Sequence, residues 1–465
     1  MGRDELRITL QWLADAVGGR VLAGNREQVI GGVVTDTRLL QAGDFFVALR
    51  GPRYDGNAFV GEARTGGALG ALVDDGYSGP TWDGLVRVDD TTRALQAFAH
   101  AVRKASGTRV VAITGSAGKT TTKEAIAELL GTRFRVVRNK GNLNNHIGLP
   151  LSLLQLRSRP DVAVMELGMN HAGEIRRLVE IADPEVRVWT NVGDAHLAFF
   201  DSPDSIAASK AEILEGADSG TLLVCNADDE RVMRHAAAFP GKTVGFGTSP
   251  GATVRARDVE DRGVSGMRAR VTTPAGERVV DTPLLGRGNL SNVLAAMAVA
   301  LEFGVPLDEI AGKVARLRPA DRRGVVHHLG NGVTLIDDSY NSSPSALQRA
   351  LEVVARDTGA VRKVAALGEM LELGEASVRL HEACGRAAVA SGLGLLMTVG
   401  GPPARAMAAA AVAAGMAAPT VIYCETSAEA ADIAGALRSG DLVLVKGSRG
   451  IRMDVVVDRL IAGHA

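Results

Sequence analysis

Cysteine is scarce in this sequence: three in 465 residues, Cys225, Cys384 and Cys424, far apart along the chain. Each lies in or beside an apolar run, which fits buried reduced thiols rather than a disulfide framework or a cysteine metal site. Neither sign of charge is in excess. Fifty-two basic residues against 53 acidic ones leave a formal net charge of −1, so nothing suggests nucleic acid, whose recognition needs a basic face. No basic amphipathic segment marks a membrane-surface binder. Long hydrophobic runs are missing as well. The most apolar stretch, Ala404–Pro419, is nearly all alanine and broken by Gly415, too weak for a membrane span. The first 17 residues carry Asp4, Glu5 and Asp15 without a long apolar run, unlike a signal peptide. Together these absences imply a cytoplasmic globular protein.

Glycine, by contrast, is abundant at 55 residues, and 46% of the chain is hydrophobic. That combination suits an α/β protein with many tight strand–helix turns. The length suggests about three domains. Residues 1–106 open with an amphipathic helix (Leu10, Leu13, Ala14, Val17). Short β pieces follow at Gly32–Val34, Asp44–Leu49 and Ala68–Val73, then a helix over Thr92–Ala105. Ser106–Gly107 is a plausible boundary. In residues 107–318 the rhythm changes to apolar strands (Val110–Thr114, Val162–Glu166, Val186–Asn191, Leu222–Cys225) alternating with helices (Thr121–Leu130, Gly173–Ile181, Pro203–Gly216). This alternation predicts a parallel sheet covered on both faces. A β excursion over 252–284 and a helix Leu290–Phe303 close the block. Residues 319–465 repeat the alternation, with strands at Val333–Asp337, Val364–Leu367, Leu395–Val399, Thr420–Tyr423 and Leu442–Val445. That is a second doubly wound sheet.

The strand Val110–Thr114 runs straight into Gly115-Ser116-Ala117-Gly118-Lys119-Thr120-Thr121 and then a helix. A strand, a glycine-rich turn, Lys-Thr and a helix cradle a triphosphate: backbone N–H groups face the phosphates, Lys119 adds a charge and Thr120 can ligate Mg²⁺. Only two residues separate the first glycine from Gly-Lys, against four in the general motif, and an ordinary strand–helix turn is the alternative.

Further motifs follow in order. They are Gly141-Asn142-Leu143-Asn144-Asn145-His146, Glu166-Leu167-Gly168-Met169-Asn170-His171 and Thr190-Asn191-Val192-Gly193-Asp194-Ala195-His196. Asp337-Asp338-Ser339-Tyr340-Asn341, Leu371-Glu372-Leu373-Gly374 and Lys446-Gly447-Ser448-Arg449 complete the series. With the shortened phosphate loop this set resembles the Mur ligases, over roughly residues 30–450. The last three groups resemble the branch of the family that adds a D-alanyl-D-alanine dipeptide.

The resemblance implies three domains: an N-terminal domain (1–106) binding a UDP-muramoyl substrate, a central P-loop ATPase-like doubly wound domain (107–318), and a C-terminal Rossmann-like domain (319–465) that binds the amine and closes on ATP. It implies an ATP-dependent ligase joining D-alanyl-D-alanine to UDP-N-acetylmuramoyl-tripeptide through an acyl phosphate, in peptidoglycan precursor synthesis, working as a monomer with two Mg²⁺ ions. Such chemistry pushes two anions together, so cations must crowd the junction. Lys119, Glu166, His196 and Lys210 are the implied catalytic residues, with Thr120, Glu166, His196 and Lys210 around the metal. From the residues alone, Glu166 could equally be a solvated strand-end carboxylate, His196 a packed histidine and Lys210, read as mid-helix, a solvated lysine. The resemblance makes Lys210 a carbamate, and burial that lowers a lysine pKa would favour that reaction. Asn289 and Asn292 open a helix and could merely cap it; family position also brings them to the nucleotide. Arg323 has the expected spacing before Asp337 for reaching ATP phosphates, with Arg322 as its rival, and Asp338, Tyr340 and Asn341 are further ATP contacts. Thr35, Asp36, Thr37 and Arg38 resemble the UDP-binding segment, a turn built on Asp36 being the plain alternative, and Asn144 and Asn145 join them as substrate contacts.

Three segments depart from the family pattern: Glu369 stands where Asp is usual, Ser342-Ser343 precedes Pro344, and Ala198 follows His196-Leu197. An Asp-Asn-Pro-Arg segment, expected of a Mur ligase that adds diaminopimelate, is absent from residues 320–465. A folylpolyglutamate synthetase would not need the UDP-type segment. A non-catalytic nucleotide-binding chain would be expected to have lost some of the four catalytic groups.

Overall fold

The computed structural model describes residues 4–193, residue 200 and residues 202–463. Its strands form three sheets. The first holds β1 (Arg20–Val21), β2 (Val33–Val34), β3 (Phe45–Val47), β4 (Gly70–Val73) and β5 (Leu85–Arg87), in the order β1-β5-β4-β3-β2. The second adds β6 (Arg109–Thr114), β7 (Val136–Arg138), β8 (Val162–Glu166), β9 (Val186–Trp189), β10 (Leu222–Asn226), β11 (Lys242–Gly247), β12 (Val254–Asp261), β13 (Met267–Thr273) and β14 (Gly276–Thr282). Its order is β14-β13-β12-β11-β10-β9-β6-β8-β7. The third runs β15 (Val325–His328), β16 (Thr334–Asp338), β20 (Asp441–Lys446), β17 (Arg362–Gly368), β18 (Leu395–Val399) and β19 (Val421–Cys424).

Fifteen α-helices are described. They are α1 (Leu10–Val17), α2 (Val60–Thr65), α3 (Thr91–Ser106), α4 (Lys119–Leu130), α5 (Gly148–Leu153), α6 (Glu174–Ala182), α7 (Pro203–Ala211), α8 (Glu230–Ala236), α9 (Gly286–Glu302), α10 (Leu307–Val314), α11 (Pro344–Arg356), α12 (Ser377–Ala390), α13 (Pro402–Ala413), α14 (Ser427–Ala430) and α15 (Asp454–Gly463). None is long and apolar enough to cross a membrane among the described residues. The chain divides into two compact units, Met1–Ala112 with Arg133–Arg187, and Ile113–Thr132 with Val188–Ala465.

In the first unit the long helix α3 is started by the Asp90 side chain, which accepts from Arg93 N–H. It ends at Gly107 in the left-handed conformation (φ 65°), a helix stop that glycine adopts without strain. In the second unit α9 is rich in small residues and buried along almost its whole length, which lets it lie against α4 and across β10, β11 and β12.

The six-stranded sheet shows why strand periodicity was readable. Leu442 and Leu444 of β20 enter one core with Leu347 and Val354 of α11, while Val443 and Val445 enter the other with Val456, Val457 and Leu460 of α15. Alternate side chains thus feed opposite faces. All pairs are parallel except β15–β16. The chain leaves β16, builds β17, β18 and β19 outward, and returns to insert β20 between β16 and β17. That reversal is the point at which open α/β sheets hold ligands, at the carboxyl ends of the strands.

The doubly wound arrangement holds, with corrections in detail. The excursion over 252–284 is the antiparallel meander β12–β13–β14. The strand expected to run to Asn191 stops at Trp189, because Asn191 turns its polar groups to the phosphate loop (below). The helix expected over Pro203–Gly216 tightens into a 3₁₀ turn at Glu212–Leu214, so Lys210 lies in the last turn of α7 and not mid-helix. The helix expected from Leu290 begins at Gly286, so Asn289 lies inside its first turn and Leu285 is the cap position. All three cysteines are free and buried as expected, and burial pushes the Cys225 thiol up to about 12.

His381, on α12, is wholly buried. Its Nδ1 donates to the Ser377 carbonyl (2.7 Å) and its Nε2 accepts from Met370 N–H (2.8 Å), so the neutral imidazole fixes the loop after β17. Burial lowers its pKa from the ordinary 6.5. An unfolded chain therefore takes up this proton first, and stability present above pH 6.5 is lost as the pH falls below it. His381→Gln keeps an acceptor near Nε2 without a titrating ring. Thermal melts should show the wild type losing stability more steeply than His381→Gln between about pH 6.5 and 5. Parallel profiles would contradict this account.

Candidate active site

Strand β6 delivers the buried Thr114 to Gly115, and two glycines then do what no other residue could. Gly115 (φ 150°) has no room for a Cβ, which would fall on the Thr190 hydroxyl; at Gly118 (φ 83°) a Cβ would fall on the Asn292 side-chain amide. Both backbones are thus pressed against neighbours in conformations that disfavour a side chain. Thr190, Asn191 and Gly193 brace the loop. Ser116 N–H donates to the Asn191 carbonyl (3.0 Å) and Ala117 N–H to Asn191 Oδ1 (2.9 Å). The Ala117 carbonyl accepts from Thr190 Oγ1 (2.8 Å) and Asn191 Nδ2 (3.0 Å), and Gly193 N–H donates to Ser116 Oγ (2.9 Å). Helix α4 then starts at Lys119 with no side-chain cap from Gly118. A helix N-terminus of this kind favours anions. The Lys119 ammonium donates to the Gly115 carbonyl (2.7 Å), folding back over the loop it serves.

Lys210 is only 1% exposed. Burial holds its amine well below the ordinary lysine value, and the Lys119 charge pushes it further down. Among the described residues no group hydrogen-bonds or ion-pairs with the Lys210 amine. A solvated surface lysine is excluded. Helix α7, which carries it, is started by a capping box between Ser202 and Ser205 with Pro203 in the first turn, a strong local start signal.

Asn289 and Asn292 bond to each other (Nδ2 of Asn292 to Oδ1 of Asn289, 3.1 Å), and Asn289 Nδ2 donates to the Leu285 carbonyl (2.9 Å). Neither caps α9. Asn292 is placed against the phosphate loop at Gly118.

At the carboxyl ends of β16 and β20, the Arg323 guanidinium lies 4.1 Å from the centre of the Tyr340 ring. Arg322 points elsewhere: it reaches Asp458 on α15 (3.1 Å). The structure thereby separates two neighbours that spacing left open, tying Arg322 to a carboxylate within its own layer while no carboxylate among the described residues pairs with Arg323. Lys446, 4% exposed, joins the strands by holding Asp338 Oδ2 (2.6 Å) and the Asn341 carbonyl (2.9 Å). Glu369 accepts from Gly401 N–H (2.7 Å) at the start of α13.

In the first unit, Glu166 is 4% exposed at the end of β8, which excludes a solvated carboxylate. Asn144 Nδ2 donates to its Oε1 (2.8 Å), and Asn139 holds its backbone on both sides (3.0 Å each). Asn144 is therefore a positioner of Glu166. Asn145 instead accepts from Ile147 and Gly148 N–H and starts α5. Asp36 caps a 3₁₀ turn over Thr37–Leu39 and binds the Arg38 guanidinium (2.5 Å), which holds the Asp36 carboxyl down to about 2. The turn read as the plain alternative is thus present, and Arg38 remains highly exposed. His196 lies outside the described residues.

Sequence reasoning overlooked Thr190 and Asn191 as the brace of the phosphate loop, although a Thr-Asn pair directly after an apolar strand was the available signal. It also left Lys446 and Arg449 unassigned. Among the described residues no three His, Cys, Asp or Glu side chains gather in a metal cage.

Residues 113–300 match the Mur ligase middle domain and residues 322–449 the Mur ligase, glutamate ligase domain. The chain is 34% identical over 468 residues to the UDP-N-acetylmuramoyl-tripeptide–D-alanyl-D-alanine ligase of Bacillus subtilis, covering 98% of this chain and 99% of that one. It is 34% identical over 459 residues to the Escherichia coli enzyme of the same name, covering 98% of each. Among solved structures it is similar to MurF from Acinetobacter baumannii (30% identity, TM-score 0.87, 99% of this chain and 100% of that one). It is also similar to MurF ligase from Thermotoga maritima in complex with ADP (29%, TM-score 0.82, 93% and 97%).

The two arginines should separate cleanly. Arg323→Ala should lower kcat/KM for ATP by about a hundredfold, the scale of a lost contact to developing phosphate charge. Arg322→Ala should leave kcat/KM within about threefold and cost at most about 1 kcal/mol of stability, since its ion pair is partly exposed. Steady-state kinetics beside thermal melts decide it, and the reverse pattern would reassign the contact.

Proposed function

The chain belongs to the Mur ligase family, and from this we infer that it is the ATP-dependent ligase joining D-alanyl-D-alanine to UDP-N-acetylmuramoyl-tripeptide in peptidoglycan precursor synthesis. The observation that carries this is full-length similarity to enzymes of that name, supported by a braced phosphate loop within electrostatic reach of a buried lysine. ATP is the phosphoryl donor.

The reaction must make a carboxylate into an electrophile. The terminal carboxylate of the tripeptide attacks the γ-phosphorus of ATP, and the bond to the bridging oxygen breaks, releasing ADP and leaving an acyl phosphate. The dipeptide amine then attacks the acyl carbon, loses a proton, and expels inorganic phosphate. In our reading Gly115 to Thr121 hold the triphosphate, with Lys119 offsetting its charge. Asn289 and Asn292 meet the nucleotide from α9, and Arg323, Asp338, Tyr340 and Asn341 from the C-terminal layer. Thr35 to Arg38 serve the UDP moiety.

Magnesium, when bound, would neutralise phosphate charge during transfer. In our reading Thr120, Glu166, His196 and Lys210 as a carbamate would be its ligands, and hydroxyl, carboxylate and carbamate oxygens are donors of the kind Mg²⁺ prefers. Lys210 supports a carbamate at this site. Its burial favours the neutral amine that attacks CO₂; the product is an anion and a released proton, and the anion offsets the Lys119 charge next to it. We further assign residues 1–106 to the UDP substrate, 107–318 to ATP and 319–465 to the amine. A cytoplasmic setting is supported by its nucleotide substrates.

Lys210→Ala should be nearly inactive, by about a hundredfold or more, and should recover part of its rate when a small carboxylic acid is supplied in solution. An unimpaired mutant would remove the carbamate. The function itself is tested by offering D-alanyl-D-alanine, D-alanine, L-alanine and diaminopimelate at equal concentration with ATP and the UDP-muramoyl tripeptide. The dipeptide should win by roughly a hundredfold, since a site built to bond its extra amide leaves polar groups unpaired with a shorter amine. If a single amino acid wins, the dipeptide assignment falls.

A further inference from the structure

Tyr340 carries a second cation. The Arg449 guanidinium lies 5.7 Å from the centre of the same ring that Arg323 approaches at 4.1 Å. Two positive groups gathered on one ring repel each other, and the attraction of each for the ring face is modest. No carboxylate among the described residues pairs with either. Anionic ligands are what would relieve the crowding, and resting on the ligase reading above, two anions come to this layer: the triphosphate and the terminal carboxylate of the acceptor.

The loops decide which arginine takes which. Arg323 belongs to the β15–β16 side, where Gly324 N–H bonds the Asp337 carbonyl (2.8 Å). Arg449 stands on the loop leaving β20, which is tied to the loop after β17. Ser448 N–H donates to the Glu369 carbonyl (3.1 Å), and Ser448 Oγ accepts from Leu371 N–H (2.9 Å). Leu371 is 41% exposed and packs on Gly450, the residue after Arg449. A cation beside an apolar side chain held at the surface matches a small peptide with methyl side chains and a free carboxyl terminus. Because β20 is inserted between β16 and β17, both arginines sit where the sheet reverses direction.

We propose that Arg449 binds the C-terminal carboxylate of the acceptor dipeptide, with Leu371 against its methyl groups, while Arg323 on the same ring serves the nucleotide. Arg449 is thereby a specificity-determining residue that makes the enzyme require an acceptor with a free terminal acid.

The test compares D-alanyl-D-alanine with its C-terminal amide, in wild type, Arg449→Ala and Arg449→Lys, with KM for ATP measured in each. The wild type should prefer the acid by roughly thirtyfold or more in kcat/KM, the scale of a charge-assisted bidentate contact. Arg449→Ala should lose that factor on the acid, leave the amide within about threefold, and leave KM for ATP unchanged; Arg449→Lys should keep part of the preference, since lysine retains the charge without the fork. A preference that survives in Arg449→Ala would overturn the proposal. So would a rise in KM for ATP that matches the acceptor's, which would give Arg449 to the nucleotide. Wild-type enzyme that ligates neither acceptor would overturn the proposed function, and this inference with it.

Discussion

Basic groups held at close quarters organise this molecule. Lys210 is buried without a described partner and within electrostatic reach of Lys119, and in the C-terminal layer two arginines share the Tyr340 ring. Burial favours the neutral Lys210 amine beside the Lys119 charge, and two arginines crowd one ring; such arrangements cost energy unless a ligand uses them. Here the use is chemical. A ligase must bring phosphate and carboxylate anions into contact, and preformed positive potential reduces their mutual repulsion without reorganisation at the moment of reaction.

Keeping those cations in place falls to uncharged parts of the fold. Gly115 and Gly118 let Thr190 and Asn292 press against the loop backbone, and Asn191 returns three hydrogen bonds to Ser116 and Ala117. The brace comes from the strand end next in the sheet to β6 and the lock from α9, so the loop geometry is set by the packing of the second unit. In the C-terminal layer the corresponding contact is charged: Lys446 clamps the Asp338 carboxylate and the Asn341 carbonyl.

Much of this was legible in the sequence. Strands such as Val110–Thr114 and Leu442–Val445 announced themselves because alternate residues must be apolar on both faces of a covered sheet, and the phosphate loop because close approach requires glycine. What was not legible depended on tertiary neighbours. Nothing local says that Lys210 is buried, that Asn145 serves α5 while Asn144 serves Glu166, or that Arg322 finds Asp458, which lies 136 residues away. The start of α9 was misplaced because Gly286-Arg287-Gly288 reads as a turn, yet packing keeps those residues helical. Thr190 and Asn191 were read as strand, since their role in bracing a loop 74 residues earlier leaves no periodic trace.

The central claim is that the crowded cations exist to let a carboxylate attack the γ-phosphate and form an acyl phosphate. Isotope transfer tests it most directly. With ¹⁸O in the terminal carboxylate of the UDP-muramoyl tripeptide, each turnover should place one labelled oxygen in the released inorganic phosphate and leave ADP unlabelled. Unlabelled phosphate in the presence of amide product would contradict the account.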